Sequence, residues 1–258
     1  MILPPSKDPW YTTPDDFEHA RPGDVLRIRA APGNLTVITS NCSAIYNILY
    51  RTTNSQYKPA WAVTTLFIPK HPVKALLSYQ VPYDSADVDA SPSYAMNANV
   101  PPEVNSSLSK GWFVSVPDYE GPLASFTAGV MSGHATIDSI RAIFSKKHEF
   151  GLTDDARYAM WGYSGGALAS EWAAELQVQY APELSFSGAA LGGLTPNVTS
   201  VLETINKGYA AGLAPVSKPF RESGLRRQSL YFRIKPHFGP SHRYLTEKTD
   251  RPFVRAPF

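Results

Sequence analysis

The stretch "ARYAMWGYSGGALASEWAAELQVQY", residues 156–180, decides the fold. Its apolar first part, "ARYAMWGY", ends in a glycine-rich turn. The run that follows places Leu168, Trp172 and Leu176 at i, i+4 and i+8. The first part reads as a buried strand and the second as a helix. Between them, Gly162-Tyr163-Ser164-Gly165-Gly166 matches G-x-S-x-G, a pattern with meaning when it ends a buried strand and opens a helix. A strand that turns abruptly into a helix holds its corner residue in a strained conformation. Small residues two positions to either side, here Gly162 and Gly166, let the two arms approach. The corner side chain then stands above the carboxyl edge of the sheet, beside free N–H groups and the positive end of a helix dipole. Ser164 is therefore the candidate nucleophile, and the Gly165 N–H is placed to donate to a developing oxyanion. A phosphate loop fits less well, because the Lys-Ser/Thr pair after the glycines is missing.

The elements around this elbow alternate. Upstream, Lys74–Tyr83 and Trp112–Val116 read as strands, and 127–147 has helical period, with Ile137, Ile140 and Phe144 on one face. Downstream, "LSFSGAALGG" reads as a short buried strand and 198–207 as a helix. This alternation predicts an α/β fold whose parallel sheet carries helices on its faces. Earlier in the chain, Asp24–Ala30, Cys42–Arg51 and Ala60–Pro69 read as strands of an antiparallel section. Residues 1–23 read as an irregular arm, and 84–110 as loop with one short helix.

Composition sets the limits. The 258 residues, 43% of them hydrophobic, are enough for one sizeable core. No apolar run reaches the roughly 18 residues of a membrane span. The net charge of +2 gives no argument for nucleic acid. Residues 218–258, however, carry ten Lys/Arg against three Asp/Glu and five prolines, and hold neither period. They read as an atypical basic tail on a domain covering 24–217. A lone Cys42 allows no internal disulfide. Four acceptor sequons, at Asn34, Asn41, Asn105 and Asn197, point to secretion, although "MILPPSKDPWYTTP" has no apolar signal core.

The stretches "DPWYTTP", "YRTTNSQ", "LLSYQVPYDSADVDASPSYA", "DYEGPLASFTAG", "GYSGG" and "YAPELSFSGAALGG" occur in order over about residues 8–215. In these the chain resembles the fungal secretory lipase family of the lipase A type. The resemblance implies an α/β-hydrolase fold and a secreted enzyme that hydrolyses triacylglycerols or related esters at a lipid–water interface, without a cofactor. It implies Ser164 as nucleophile and the backbone N–H groups of Gly165 and Asp84 as oxyanion donors. Asp84 follows the strand "LLSYQV", where this fold draws its second donor. It also implies that the catalytic Asp and His come after Ser164, beyond a lid-bearing insertion and past residue 258. The fold is accordingly expected to be C-terminally truncated. The alternative function is then a catalytically inactive fragment or lipid-binding remnant.

A serine needs a base, and the base an orienting carboxylate. His71 sits in a loop, while His134 and His148 are expected on surface faces in or just after a helix. Among the six histidines, only His237 and His242 follow Ser164, and Asp250 follows both, which is the wrong order for this fold. Asp84, Asp87 and Asp89 lack the Gly and distal Glu of a calcium loop, so no metal site is expected. Asp118 and Glu120 end a strand at the same sheet edge and are assigned no chemistry.

Overall fold

The computed structural model describes residues 2–205 and the two-residue strand 245–246. Eight strands form one mixed sheet: β1 (Val25–Ala30), β2 (Cys42–Thr53), β3 (Pro59–Pro69), β4 (Ala75–Gln80), β5 (Phe113–Pro117), β6 (Arg157–Tyr163), β7 (Ala189–Gly192) and β8 (Leu245–Thr246). Their spatial order is β1-β2-β3-β5-β4-β6-β7-β8. The pairs β1/β2, β2/β3 and β3/β5 are antiparallel. From β5 onward every pair is parallel, with β4 between β5 and β6.

Local chemistry explains the hairpin. β2 and β3 are long and carry β-branched and aromatic residues, and a tight turn joins them. In that turn the Asn54 side chain accepts from the amides of Gln56 (2.8 Å) and Lys58 (3.0 Å), a side-chain turn that fixes the register. The parallel strands are connected through helices, as parallel pairing requires. β4 and β5 are buried on both faces, so "ALLSYQ" and "FVSVP" read as continuous buried runs rather than alternating ones.

Two cores result, one on each face of the sheet. Leu76 and Phe113 point into the first, which α4 (Gly129–Ser145) and α6 (Gly165–Tyr180) cover. Their chain neighbours Leu77 and Val114 point into the second. That side is covered by α1 (Leu35–Ile38), α2 (Pro92–Ala95) and α3 (Pro102–Ser109), through Leu35, Met96, Val104 and Leu108. The short α5 (Lys147–Phe150) follows α4 and stops at Gly151, whose φ of +79° caps its end. α7 (Val198–Ile205) follows β7. The region read as loop with one short helix, 84–110, instead holds a 3₁₀ turn (Val88–Ala90) and the two helices α2 and α3. Both helices start at proline, which pre-sets φ for a first turn and so starts helices that are too short to show a period.

The N-terminal arm is tied to the sheet. Asp8 caps the Trp10 amide (3.0 Å) and pairs with Arg29 (2.7 Å), whose guanidinium lies 4.1 Å above the Trp10 ring. The Trp61 indole donates to the Tyr11 carbonyl (3.1 Å), and Ser6 donates twice to Asp89.

One expectation about α4 fails. His134 is not on a surface face but fully buried. Its ring stacks on Tyr180 at 3.9 Å, and its Nδ1 lies 3.1 Å from the Thr53 carbonyl. The reason is that α4 is covered on two sides, by the sheet and by α6. The Tyr50 hydroxyl on β2 donates to the Ala135 carbonyl (2.7 Å), and Gly133 lies against the Trp172 backbone on α6. Burial holds the His134 imidazole well below its ordinary range, at a pKa of about 4, so it is neutral and the Nδ1–H donates. Next to it, Asp138 accepts from Thr52 Oγ1 and the Tyr180 hydroxyl (2.7 Å each) and from Arg141 (2.9 Å). This network joins β2, α4 and α6 under the first core. Residues 218–258, apart from β8, lie outside the described residues, as do His237, His242 and Asp250.

Candidate functional site

The elbow is built by glycines. β6 ends at Tyr163 and α6 begins at Gly165, leaving Ser164 as the corner at φ +52°, ψ −120°. Few L-residues occupy that region, and those that do are held there by their surroundings. Here the Ser164 amide donates to the Gly192 carbonyl of β7 (2.9 Å), and its carbonyl accepts from Leu168 in the first turn of α6 (3.0 Å). A Cβ on Gly162 would run into the backbone of Gly166, and a Cβ on Gly166 into the Gln80 carbonyl of β4. The two glycines therefore bring strand, helix and neighbouring strand into backbone contact. Gly166→Ala is expected to cost about 2–3 kcal/mol, because the new methyl must push β4 or α6 aside. Urea unfolding monitored by tryptophan fluorescence measures this.

Gln80 fixes the same junction from below. Its amide lies 2.6 Å from Ser170 Oγ on α6 and is enclosed by β4 and β6. Small residues such as Gly166, Ala169, Ser170 and Ala173 are buried on α6. They explain why the helix seats so close to β4.

Ser164 is half-buried, and its side chain caps no helix amide. The Gly165 amide is the first of α6, where no intrahelical acceptor is available. Across from it, Asp84 follows β4 with φ +41°, and its Oδ1 lies where a Cβ on Gly165 would be. Among the described residues, neither the Gly165 nor the Asp84 amide donates to a backbone acceptor in a turn, loop or cap. The structure thus brings together Ser164, Gly165, Asp84, Gly162 and Gly166.

Behind Asp84 lies a group of buried acids. Asp118 and Glu120 follow β5 and are 4% and 1% exposed. Asp118 accepts from both the amide and the hydroxyl of Ser93 (2.8 and 2.5 Å), and Ser93 Oγ lies 2.8 Å from the Tyr11 hydroxyl. Burial raises the Asp118 pKa to about 7 despite these bonds. Glu120 is pushed further, to about 9, first by burial and then by the charge of Asp84. Burial also raises Asp84. Sequence reasoning gave Asp118 and Glu120 no role, because burial at a strand's end leaves no signal in residue type. A cavity of about 380 Å³ lies under the arm, lined by Tyr11, Trp61, Val63, Val88, Ser91 and Asp118 among others.

The other sequence candidates lie elsewhere. Asp87 accepts from the Asp89 amide within its own turn, and Asp89 holds the arm through Ser6. His19, His71 and His148 are exposed, and His148 faces Asp154 at 3.8 Å, before β6 and so opposite the elbow. His134 stacks on Tyr180 at the far end of the 16-residue α6, about 24 Å along the helix from Ser164. Asn34, Asn41 and Asn197 are exposed. Asn105 is half-buried on α3, its side-chain oxygen accepting from the amide and hydroxyl of Ser40. No described helix is long and apolar enough to cross a membrane.

A serine at φ +52° between a parallel strand and a helix, at the carboxyl edge of a mixed sheet, defines an α/β-hydrolase. Within that class the chain is similar to the secretory lipase family, whose model matches residues 101–220. It is 57% identical over 230 residues to a trichothecene C-3 esterase of Fusarium sporotrichioides, covering 83% of this chain and 51% of that protein. It is 39% identical to lipase A of Arthroderma benhamiae, over 82% of this chain and 49% of the relative. The crystal structure of Candida antarctica lipase A in its closed state superposes with a TM-score of 0.76 at 34% identity, over 84% of this chain and 52% of that one. The chain spans about half the length of the relatives it matches. These relatives are named as lipases and an esterase.

Proposed function

We propose that the protein is a secreted serine ester hydrolase in which Ser164 attacks the ester carbonyl and forms an acyl-enzyme that water then cleaves. The observation that carries this reading is Ser164 at its strained corner, immediately before the first amide of α6, that of Gly165. In this reading the Gly165 and Asp84 N–H groups receive the charge that develops on the carbonyl oxygen, where the start of α6 adds its dipole. Proton transfer from Ser164 requires a His and its Asp, contributed from outside the described residues. Secretion rests on the family, and exposed Asn34, Asn41 and Asn197 are where glycans would be carried.

The resemblance to lipases implies triacylglycerols as substrate. The higher identity to the trichothecene C-3 esterase, 57% against 39% for lipase A, favours an acyl ester of a hydroxylated small molecule. The expected result is faster hydrolysis, by at least about tenfold in kcat/KM, of a trichothecene acylated at C-3 than of an emulsified triacylglycerol. The opposite ratio returns the assignment to triacylglycerols. Hydrolysis of neither, by protein whose Ser164 takes no active-site label, leaves the alternative of an inactive, lipid-binding remnant.

A further inference from the structure

The cavity of about 380 Å³ under the N-terminal arm is enclosed by segments far apart in sequence. Residues 5–6 and 11–13 of the arm, 61–63 of β3, Val88 and Ser91 of the segment after β4, and Asp118 after β5 all line it. Asp118 and Ser164 leave the same carboxyl edge of the sheet, where open α/β sheets bind ligands. They are not neighbours: β4 stands between β5 and β6, so two strand spacings, about 10 Å, separate them. The arm crosses the gap on hydrogen bonds at its rim. Ser6 donates to Asp89 from its amide (2.8 Å) and its hydroxyl (2.7 Å). Ser93 gives its one hydroxyl proton to Asp118, so the Tyr11 hydroxyl, 2.8 Å away, donates to Ser93. The Trp61 indole donates to the Tyr11 carbonyl (3.1 Å). These bonds span the space without filling it. Protein interiors are close-packed, with few voids larger than a water molecule, whereas this volume falls in the range of small-molecule sites.

We propose that this space is a binding site, separate from the elbow, for a small, mostly apolar molecule bearing a hydroxyl group. The apolar walls at Trp61, Val63, Val88 and Pro122 take its body, and Asp118 accepts from its hydroxyl. Each Asp118 oxygen already accepts one bond from Ser93, and a carboxylate oxygen has a lone pair for a second donor. None of the described residues lining the cavity is a Lys, Arg or His, so no lining cation competes for that carboxyl. A cavity with apolar walls and one or two placed polar groups is the usual form of a small-molecule site. The site uses neither Ser164 nor its oxyanion donors, and so stands apart from the hydrolase reading.

The test uses the full chain and borneol, a rigid apolar cage with one hydroxyl. Camphor, the same cage with a carbonyl in place of the hydroxyl, is the control. The titration is run at about pH 8, above the Asp118 pKa of about 7, so that the carboxyl is ionised. Calorimetry is expected to show one borneol site with a Kd at or below about 1 mM. Camphor is expected to bind at least about tenfold more weakly, because it brings an acceptor to an acceptor. Val88→Phe, which puts a ring at the cavity wall, is expected to weaken borneol at least about tenfold. Hydrogen exchange locates the site even if that variant does not fold. Saturating borneol should slow exchange in residues 5–13 and 86–93 and leave 162–168 unchanged. A cleft that holds only water shows no borneol binding, which overturns the proposal. Camphor binding as tightly as borneol, undiminished binding to folded Val88→Phe, or protection at 162–168 in place of the arm also overturns it. Failure of Ser164 to react with an acylating reagent, with borneol bound and the arm protected, sinks the hydrolase reading and not this site.

Discussion

Ser164→Ala is expected to lower ester hydrolysis about 10³–10⁶-fold in kcat with little change in KM, while the protein stays folded. The size follows from what the residue does: without the nucleophile no acyl-enzyme forms, and only binding and oxyanion stabilisation remain. KM is spared because the removed oxygen acts on the transition state rather than on ground-state binding. The fold is spared for a separate reason. The Ser164 side chain caps no amide, and alanine meets the same strain at φ +52° that serine already bears. The thermal midpoint should therefore stay within the shift produced by about 0.5 kcal/mol. A variant that keeps a tenth or more of parental turnover would remove Ser164 from the reaction. One that loses both turnover and fold would show that the serine is structural.

The second large effect is on stability. Asp138→Ala is expected to destabilise the protein by about 3–5 kcal/mol, the range for breaking a buried, hydrogen-bonded charge pair. Asp138 is fully buried and accepts from Thr52, Tyr180 and Arg141. Removing it leaves two hydroxyls and a guanidinium with unmade bonds inside the core. The pH dependence gives a finer signature. His134 has its pKa lowered from 6.5 to about 4, so the unfolded chain binds a proton that the fold refuses, and stability falls as pH drops from 6.5 to 4. Asp138 has its pKa raised from 3.8 to about 6, so there the fold holds a proton that the unfolded chain has released. Stability then rises as pH drops from 6 to 3.8. The two slopes oppose each other over nearly the same window, and the parent should be almost flat there with respect to this pair. In Asp138→Asn only the His134 slope remains. That variant is expected to lose about 3 kcal/mol relative to the parent between pH 6.5 and 4. Guanidinium unfolding at both pH values measures it: a variant whose stability does not fall between pH 6.5 and 4 contradicts the burial of His134 as a neutral ring, and parallel curves for parent and variant contradict the raised pKa of Asp138.

These two predictions also mark what could be read from the sequence. The elbow was legible because its chemistry is local. A strand pattern, two glycines and a helical face within 25 residues specify the corner, and the structure places Ser164 there. The antiparallel section, the parallel strands and the Ile137/Ile140 face of α4 were legible for the same reason, since period alone sets which side is buried. His134 and Asp138 were not. Period predicts one buried face, whereas α4 is covered by the sheet on one side and by α6 on the other, so its polar residues are buried as well. Their partners Thr52, Thr53 and Tyr180 are distant in sequence and become neighbours only when the layers close. One short helix was expected where α2 and α3 stand, and the second escaped because segments of four and eight residues begun by proline look like loop.

The most direct measurement of the central claim is covalent labelling of the folded protein with a fluorophosphonate, followed by peptide mass spectrometry. Such a reagent phosphonylates a serine only where the hydroxyl is activated and an oxyanion site receives the phosphoryl oxygen. The account predicts one phosphonate per chain, on Ser164 within residues 158–171, lost on heat denaturation before labelling and absent from Ser164→Ala. A folded protein that leaves Ser164 unmodified under conditions that label a known serine esterase to completion would contradict it.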